Sequence, residues 1–333
     1  MTRIAQVLVK PQLGGAETLV SSLEAEFTAR GIETRTVYLD PEGPAQGPAG
    51  RIRTLRRQLR DFHPTHILAH SALPNVYARL AAAPRTPVTC VLHSASDDFA
   101  DPMLRCAEWV LLPRTAAVIA VSQVAHQQYT SRFPNRDRVV LVNNGAAADF
   151  HPEGPRARTP TRFVSVARVA DQKNPQVWID AVTAAGRELP QARFTWWGPA
   201  GSEDYQRVMD EFNAAQPHAH FEGATSQAAQ RMREADVFLH TADAEANSIV
   251  LLEAAASGLP IICSEAVAAT LPEDFHATAF RTGDAADCLR AIREVGERWE
   301  DSCAQADRNE ALVNERFRMG PVTDRYLRTM GIN

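Results

Sequence analysis

The chain has 333 residues, 45% hydrophobic and 23% charged, with a net charge of −5 at pH 7. That length exceeds what one core usually serves, so two domains are expected, and no apolar run approaches the roughly 20 residues that cross a bilayer. Five cysteines without a C-x-x-C pair exclude a disulfide framework or zinc site as the organising feature.

Residues 1–10 are too soon interrupted for a signal peptide and read as a first strand, so a cytoplasmic protein is expected. Short β-rich runs then alternate with amphipathic segments, the pattern of βαβ units on parallel sheets. Strands are expected at 3–9, 34–38, 66–69, 88–92, 117–121 and 138–142, and helices at 16–29, 51–61, 73–83, 103–112 and 123–131. The stretch 40–50 is rich in Pro and Gly and reads as loop. Segment 51–62 sets Ile52, Leu55, Leu59 and Phe62 on one face and five arginines elsewhere. Such a stripe can lie on a membrane surface, but one lacking Trp more often packs on its own sheet. Residues 1–150 carry 16 Lys+Arg against 13 Asp+Glu, and the remainder 19 against 27. The first half is therefore basic, a candidate for peripheral contact with an inner membrane face.

A Pro- and Gly-rich break at 151–160 reads as a linker. The alternation restarts with strands near 162–167, 192–197, 219–222, 236–240 and 260–263, and helices near 174–186, 202–215, 225–234 and 248–257. Two doubly wound, Rossmann-like α/β domains follow, residues 1–150 and 151–317, with a C-terminal helix at about 318–333 packing back on the first. Ligands of such sheets bind outside the carboxyl ends of the strands, so an interdomain cleft is the expected ligand site.

The chemistry concentrates after strand 236–240. A loop leads to a helix with Ser248 as N-cap and Gly258 and Pro260 as stop signals. Its free N–H groups suit a diphosphate. Glu245 lies ahead of the helix and Glu253 about a turn and a half inside it, so the two carboxylates can take different hydroxyl pairs of one extended ligand. A mid-helix Glu is usually solvated, but Glu253 stands between two leucines and three alanines, and a buried Glu is uncommon unless paired or functional. His66, His70 and His93 fall at or near strand ends, where structural and functional roles are equally expected. Asp97 and Asp98 lack further ligands and read as a loop or cap. Gly14-Gly15 lacks the G-x-G-x-x-G of a dinucleotide site.

The run Glu245-Ala-Asn-Ser-Ile-Val-Leu-Leu-Glu253-Ala-Ala-Ala-Ser-Gly-Leu-Pro resembles the Glu-x7-Glu signature of group 1 retaining glycosyltransferases (family 4 type), which have the GT-B fold. Further pieces are similar in order: Arg168 and Lys173 in 164–175, Trp197-Gly198-Pro199, and Phe221-Glu222-Gly223. In the first half Gly14-Gly15-Ala16-Glu17, His93-Ser94, Val121-Ser122 and Asn144-Gly145 with Phe150-His-Pro152 also match. The likeness covers about residues 5 to 285, and its second-half motifs are specific as a set.

The resemblance implies a hexose-type sugar moved with retention from a nucleotide diphosphate sugar (UDP-, GDP- or ADP-linked) to a hydroxyl of a glycan or lipid-linked glycan, in polysaccharide or glycoconjugate assembly. It implies that Arg168 and Lys173 neutralise the diphosphate, that Glu253 holds the ribose, and that Glu245 with the backbone of Ala246 and Asn247 holds the sugar. Ser248 and Ile249 follow at the helix start, Gly198 and Gly223 at turns beside the donor, Gly15 against phosphate or sugar, and His93 near the anomeric carbon. No metal, other cofactor or nucleic acid is implied. Lysine occurs only at positions 10 and 173, against 33 arginines, and a compact ammonium on phosphate is not interchangeable with a guanidinium. The family usually has Gly where Ala246 stands, so the sugar pocket is expected to be narrowed or its backbone restricted. Alternatives are a nucleotide-sugar epimerase on the same fold, or a non-catalytic sugar-nucleotide binder.

Overall fold

The computed structural model describes residues 1–11, 15–41, 46–93, 97–272 and 274–332. The chain forms two compact units, Met1–Asn144 with Met319–Asn333, and Gly145–Arg318. The division falls slightly ahead of the expected 150/151. The Pro-rich stretch near 151–160 belongs to the second unit, where Arg156 donates to the Gly258 and Cys303 carbonyls and Trp299 Nε1 to Ala157 O.

In the first unit the chain runs β1 (Arg3–Leu8), α1 (Gly15–Ala29), β2 (Glu33–Tyr38), α2 (Pro48–Phe62), β3 (His66–His70), α3 (Ala72–Ala81), β4 (Val88–Leu92), α4 (Pro102–Leu111), β5 (Ala117–Ala120), α5 (Gln123–Arg132) and β6 (Val139–Leu141). The strands form one parallel sheet in the order β2-β1-β3-β4-β5-β6. All of β4 and β5 is buried, as parallel strands covered on both faces must be. Helix α2 begins at Pro48, inside the stretch expected to be loop, because Pro suits the first helical turn. Its Leu55, Leu59 and Phe62 are buried in the core, so the apolar stripe of 51–62 is spent within the fold.

The second unit runs β7 (Arg162–Val166), α6 (Pro175–Glu188), β8 (Arg193–Trp197), α7 (Glu203–Ala215), β9 (Ala219–Gly223), α8 (Ala228–Arg233), β10 (Val237–His240), α9 (Ile249–Ala256), β11 (Ile261–Ser264), α10 (Glu265–Ala268), β12 (Thr278–Phe280), α11 (Ala285–Glu297) and α12 (Trp299–Arg316). Its parallel sheet has the order β12-β11-β10-β7-β8-β9. Strand β12 and helices α10, α11 and α12 add to the expected elements. Helix α13 (Met319–Thr329) returns to the first unit, where Arg30 at the end of α1 donates to Gly320 O and pairs with Asp324 at 3.0 Å. No helix among the described residues is long and apolar enough to cross a membrane.

One polar network is buried in the first core. The Arg79 guanidinium, fully enclosed, pairs with Glu108 and donates to Thr115 Oγ1 (2.8 Å) and Asn75 O (2.9 Å), while Tyr129 donates to Glu108 Oε1 at 2.6 Å. Removing one partner strands a buried charge, which costs far more than the pair itself contributes. Glu108→Ala is expected to destabilise the protein by about 3–5 kcal/mol in chemical denaturation, and the double change Arg79→Leu with Glu108→Leu by much less.

Candidate functional site

In the second sheet the strand order reverses between β7 and β10, the switch point outside which doubly wound sheets bind ligands. The segment after β7 is fixed by its neighbours. Ala167 N–H donates to Trp197 O (2.9 Å), Trp196 Nε1 to Ala167 O (2.6 Å), and Val169 N–H to Pro199 O (2.9 Å). A Cβ on Gly198 would stand 1.8 Å from the Ala167 carbonyl oxygen, so only glycine permits this approach. The backbone is thus held while the Arg168 side chain is exposed, with no hydrogen bond or ion pair to a described residue.

A short 3-10 turn, Asp171–Lys173, then leads to Asn174, which adopts the left-handed conformation (φ 45°, ψ 63°) and caps α6 by accepting from Val177 N–H at 3.2 Å. The same side chain donates to both oxygens of Asp243, at 2.9 and 3.1 Å. Gln172 Nε2 donates to Ala244 O (2.7 Å), Asp243 N–H to Gln172 O (3.0 Å), and Thr241 Oγ1 to Lys173 O (2.9 Å). The loops after β7 and β10 are therefore laced together.

Lys173 Nζ meets Glu245 Oε1, and the buried His240 places Nε2 3.0 Å from the same oxygen. Burial opposes ionisation of Glu245, but the hydrogen bond from His240 and the nearby positive charge of Lys173 outweigh it and hold the carboxyl at about 2. Burial also pushes His240 down, partly countered by Glu245, so at neutral pH the ring is a neutral donor through Nε2. Glu245 Oε2 bonds no described residue and remains an acceptor. His240 carries no role in the sequence reading; its position at the last residue of a strand just before the Glu-x7-Glu run is the available signal.

Helix α9 is buried almost all round, and Glu253 within it is 7% exposed with no side-chain partner among the described residues. Burial, with Asp149 adding repulsion, lifts its carboxyl to about 8. Ser248 stands at the N-cap as expected but its hydroxyl makes no capping hydrogen bond. Asn247 and Ser248 are buried, Ala246 half-buried. Gly198 N–H donates to Gly223 O at 2.7 Å, and Gly223 takes φ +77°.

One concavity, about 530 Å³, lies away from these residues, at the amino-terminal ends of β7 and β10. Its charges are already matched, Arg162 with Asp236 and Arg233 with Glu153. A smaller one, about 390 Å³, borders Pro199, Phe221, Glu222 and Gly223, beside the carboxyl ends of β8 and β9. The chemistry-bearing side chains lie at the second end of the sheet.

In the first unit Gly15 opens α1, exposed, and among the described residues nothing beyond its own neighbours lies within 4 Å of where a Cβ would stand. Gly14 and Ser94 lie outside the described residues. His93 follows β4, half-buried, with its Nε2 3.0 Å from His70 Nδ1. Asp97 caps the following 3-10 turn and pairs with Arg132. No group of three or more His, Cys, Asp or Glu among the described residues is placed to hold a metal ion.

Two family models match the chain, one described as glycosyl transferases group 1 over residues 160–297 and one as glycosyltransferase family 4 over residues 13–150. The chain belongs to the group 1 glycosyltransferases. This glycosyltransferase is similar to the GtfA subunit of UDP-N-acetylglucosamine–peptide N-acetylglucosaminyltransferase from Streptococcus pneumoniae, with 24% identity over 141 residues, 42% of this chain and 28% of the relative. It is also similar to sulfoquinovosyl transferase SQD2 of Arabidopsis thaliana, 25% identical over 179 residues, 52% of this chain and 31% of that protein. The matches thus span less than a third of either relative's length. The crystal structure of Anabaena HepE in complex with UDP-glucose superposes with a TM-score of 0.82 at 18% identity, covering 99% of this glycosyltransferase and 100% of that chain. The fold is GT-B.

Glu253 has a measurable signature. Its folded carboxyl keeps the proton up to about 8, whereas the ordinary value is 4.5, so the folded protein binds the extra proton between those values. Stability from this group is complete below the lower value and is lost as pH rises through the upper one. Glu253→Gln, neutral throughout, is expected to match wild type in acid and to gain on it steadily toward pH 8, read from denaturation curves at several pH values.

Proposed function

We propose that this glycosyltransferase moves a hexose-type sugar from a nucleoside diphosphate sugar to an acceptor hydroxyl with retention of the anomeric configuration, in glycan or glycoconjugate assembly. The observation that carries the reading is the lacing of the loops after β7 and β10 at the switch point, which assembles Lys173 and Glu245 beside an exposed Arg168. The structure of HepE with UDP-glucose supports a nucleotide-sugar donor.

In this reading Arg168 and Lys173 meet the diphosphate. The bond between the anomeric carbon and the diphosphate oxygen breaks, its electron pair stays on that oxygen, and the two cations stabilise the growing charge. The acceptor oxygen bonds the same face of the carbon, and its proton passes to a diphosphate oxygen, so no separate side-chain base is required. Glu245 accepts a sugar hydroxyl through Oε2 while His240 and Lys173 hold Oε1. The amides of Ala246 and Asn247, with Ser248 and Ile249 behind them, line the start of α9. Glu253 receives the ribose diol, Gly198 and Gly223 border the nucleoside, Gly15 leaves room for phosphate or sugar, and His93 acts at the sugar. The two cations supply the charge that a metal would, so we propose transfer independent of metal. Ala246 narrows the choice of sugar through its methyl group.

A panel of UDP-, GDP- and ADP-sugars followed by NMR tests this. Sugar released or transferred with its anomer retained supports the proposal; interconversion of two nucleotide sugars marks an epimerase, and binding without turnover beside acceptors marks a binder. Arg168→Ala and Lys173→Ala are each expected to lower kcat about 100- to 1,000-fold. Glu253→Ala should weaken nucleotide binding by about 1.5–3 kcal/mol. Unchanged nucleotide affinity in both Glu253→Ala and Lys173→Ala would sink the site assignment.

Diol hydrogens favour the ionised carboxylate, so binding should expel the Glu253 proton. Calorimetry near pH 7 in buffers of different ionisation enthalpy should show about one more proton released by wild type than by Glu253→Gln.

A further inference from the structure

In the first sheet the strand order reverses between β1 and β3, and His70 is the last residue of β3. Strands β3 and β4 pair in parallel with His70 opposite Val91, so His93, two residues on, returns to the same face. The two rings stack with centroids 5.2 Å apart, and His70 Nδ1 lies 3.0 Å from His93 Nε2. The backbone is strained beside this contact. Ser71 has φ 79° and ψ 163°, a region otherwise left to glycine, and such outliers persist only where surrounding structure over-determines them. Here Ser71 N–H (2.9 Å) and Asn75 Nδ2 (3.3 Å) both donate to Val91 O, holding the end of β3 against β4.

A neutral imidazole has one N–H and one lone pair, so of the two facing nitrogens one donates and the other accepts. Both rings are neutral at pH 7. Burial, with His93 adding to it, drives His70 well below its ordinary value, and burial drives His93 to about 4. Two arrangements remain. If His93 Nε2 carried the proton, His70 would carry its own on Nε2, which is buried and has no partner among the described residues. An N–H orphaned in the interior loses its bond to water with no return, and such groups are rarer than orphaned acceptors. The opposite arrangement leaves only a lone pair at that buried nitrogen. His93 then accepts at Nε2 and keeps its own proton on Nδ1, an atom that bonds no described residue.

We infer that His70 is a positioning residue that fixes His93 in the Nδ1–H form, so that His93 offers a hydrogen-bond donor to an oxygen of the donor sugar. The tautomer follows from the geometry of the first unit alone. Its use on the sugar rests on the glycosyl-transfer reading above. His70 itself is buried and does not reach the ligand; its task is to leave His93 only one nitrogen with which to donate.

The test is long-range 1H–15N NMR of the full chain with 15N-labelled histidine, with the His93 signals assigned by their loss in His93→Gln. The expected wild-type pattern is a protonated Nδ1 and an unprotonated Nε2 on both His93 and His70. His70→Asn keeps a donor where Nδ1 stands and should preserve the His93 pattern. His70→Leu removes that donor and should shift His93 toward the Nε2–H form. With a turned-over donor sugar, His70→Asn should keep kcat within about threefold, and His70→Leu should lose about 10- to 100-fold in kcat, as for other residues that fix a ligating histidine's tautomer. A wild-type His93 protonated on Nε2 overturns the inference, as does a His93 pattern unmoved in a folded His70→Leu protein. If His70→Leu fails to fold, loss of the His93 pattern or of kcat in folded His70→Asn overturns it instead. The NMR arm needs no turnover, so a chain that shows the expected tautomers yet transfers no sugar refutes the glycosyl-transfer reading and leaves the tautomer standing.

Discussion

A carboxylate kept ionised in a mostly buried place is the constraint on which the second unit's candidate site depends. Water is largely withdrawn from Glu245, and that withdrawal alone would favour its neutral form. The chain answers with a neutral imidazole donor from the end of β10 and an ammonium from the loop after β7. The imidazole comes from the strand that leads into Glu245's own loop, but the ammonium could not be supplied without joining the two loops, and the bonds of Gln172, Lys173 and Asn174 to Thr241, Asp243 and Ala244 do that joining. Lys173 is thereby aimed as well as charged. Pairing with a carboxylate that has a spare oxygen lets one small cluster present both signs of charge, which suits a ligand with phosphate at one end and hydroxyls at the other.

Much of this architecture could be read from residue patterns. The β-rich runs of both units and their intervening amphipathic helices are where alternation places them, because strands covered on both faces must be apolar throughout. The misses have physical reasons. Strand β12 has only three residues, two of them partly exposed, too few for a period. Helix α12 buries Ser302, Ala306, Asn309 and Val313, a stripe too small and polar to register as a core face. Residues 40–50 look like unbroken loop only because Pro48 counts as a breaker in composition while serving as a first-turn residue in the fold. Helix α11 was not named, although Cys288, Ala291, Ile292 and Val295 stand at the same helical spacing as in the others.

The candidate site was legible in its parts and not in its pairings. Arg168, Lys173, Glu245 and Glu253 can be named from motif and composition, yet Lys173 and Glu245 stand 72 positions apart and nothing local says they meet. His240 goes unnamed and His70 is named without a role, for a related reason. A histidine ending a strand looks alike whether it fills space or holds a partner, and only the neighbouring strand's register separates the two. Gly198 is the reverse case: its identity is plain in the sequence, but the reason for it is the Ala167 carbonyl lying where a Cβ would be.

Glu253 places a limit on how robust this protein can become. A helix as enclosed as α9 would be better served by a leucine at that position, since a protonated carboxyl with no partner among the described residues contributes less to the core than an apolar side chain of similar size. Selection for heat resistance alone, in the laboratory or in a hot habitat, would therefore press toward losing it. In the proposed reading, Glu253 sets a cost in the empty protein against a gain that arises only when the ribose diol is bound. A thermostable relative of this chain would have to find its added stability elsewhere.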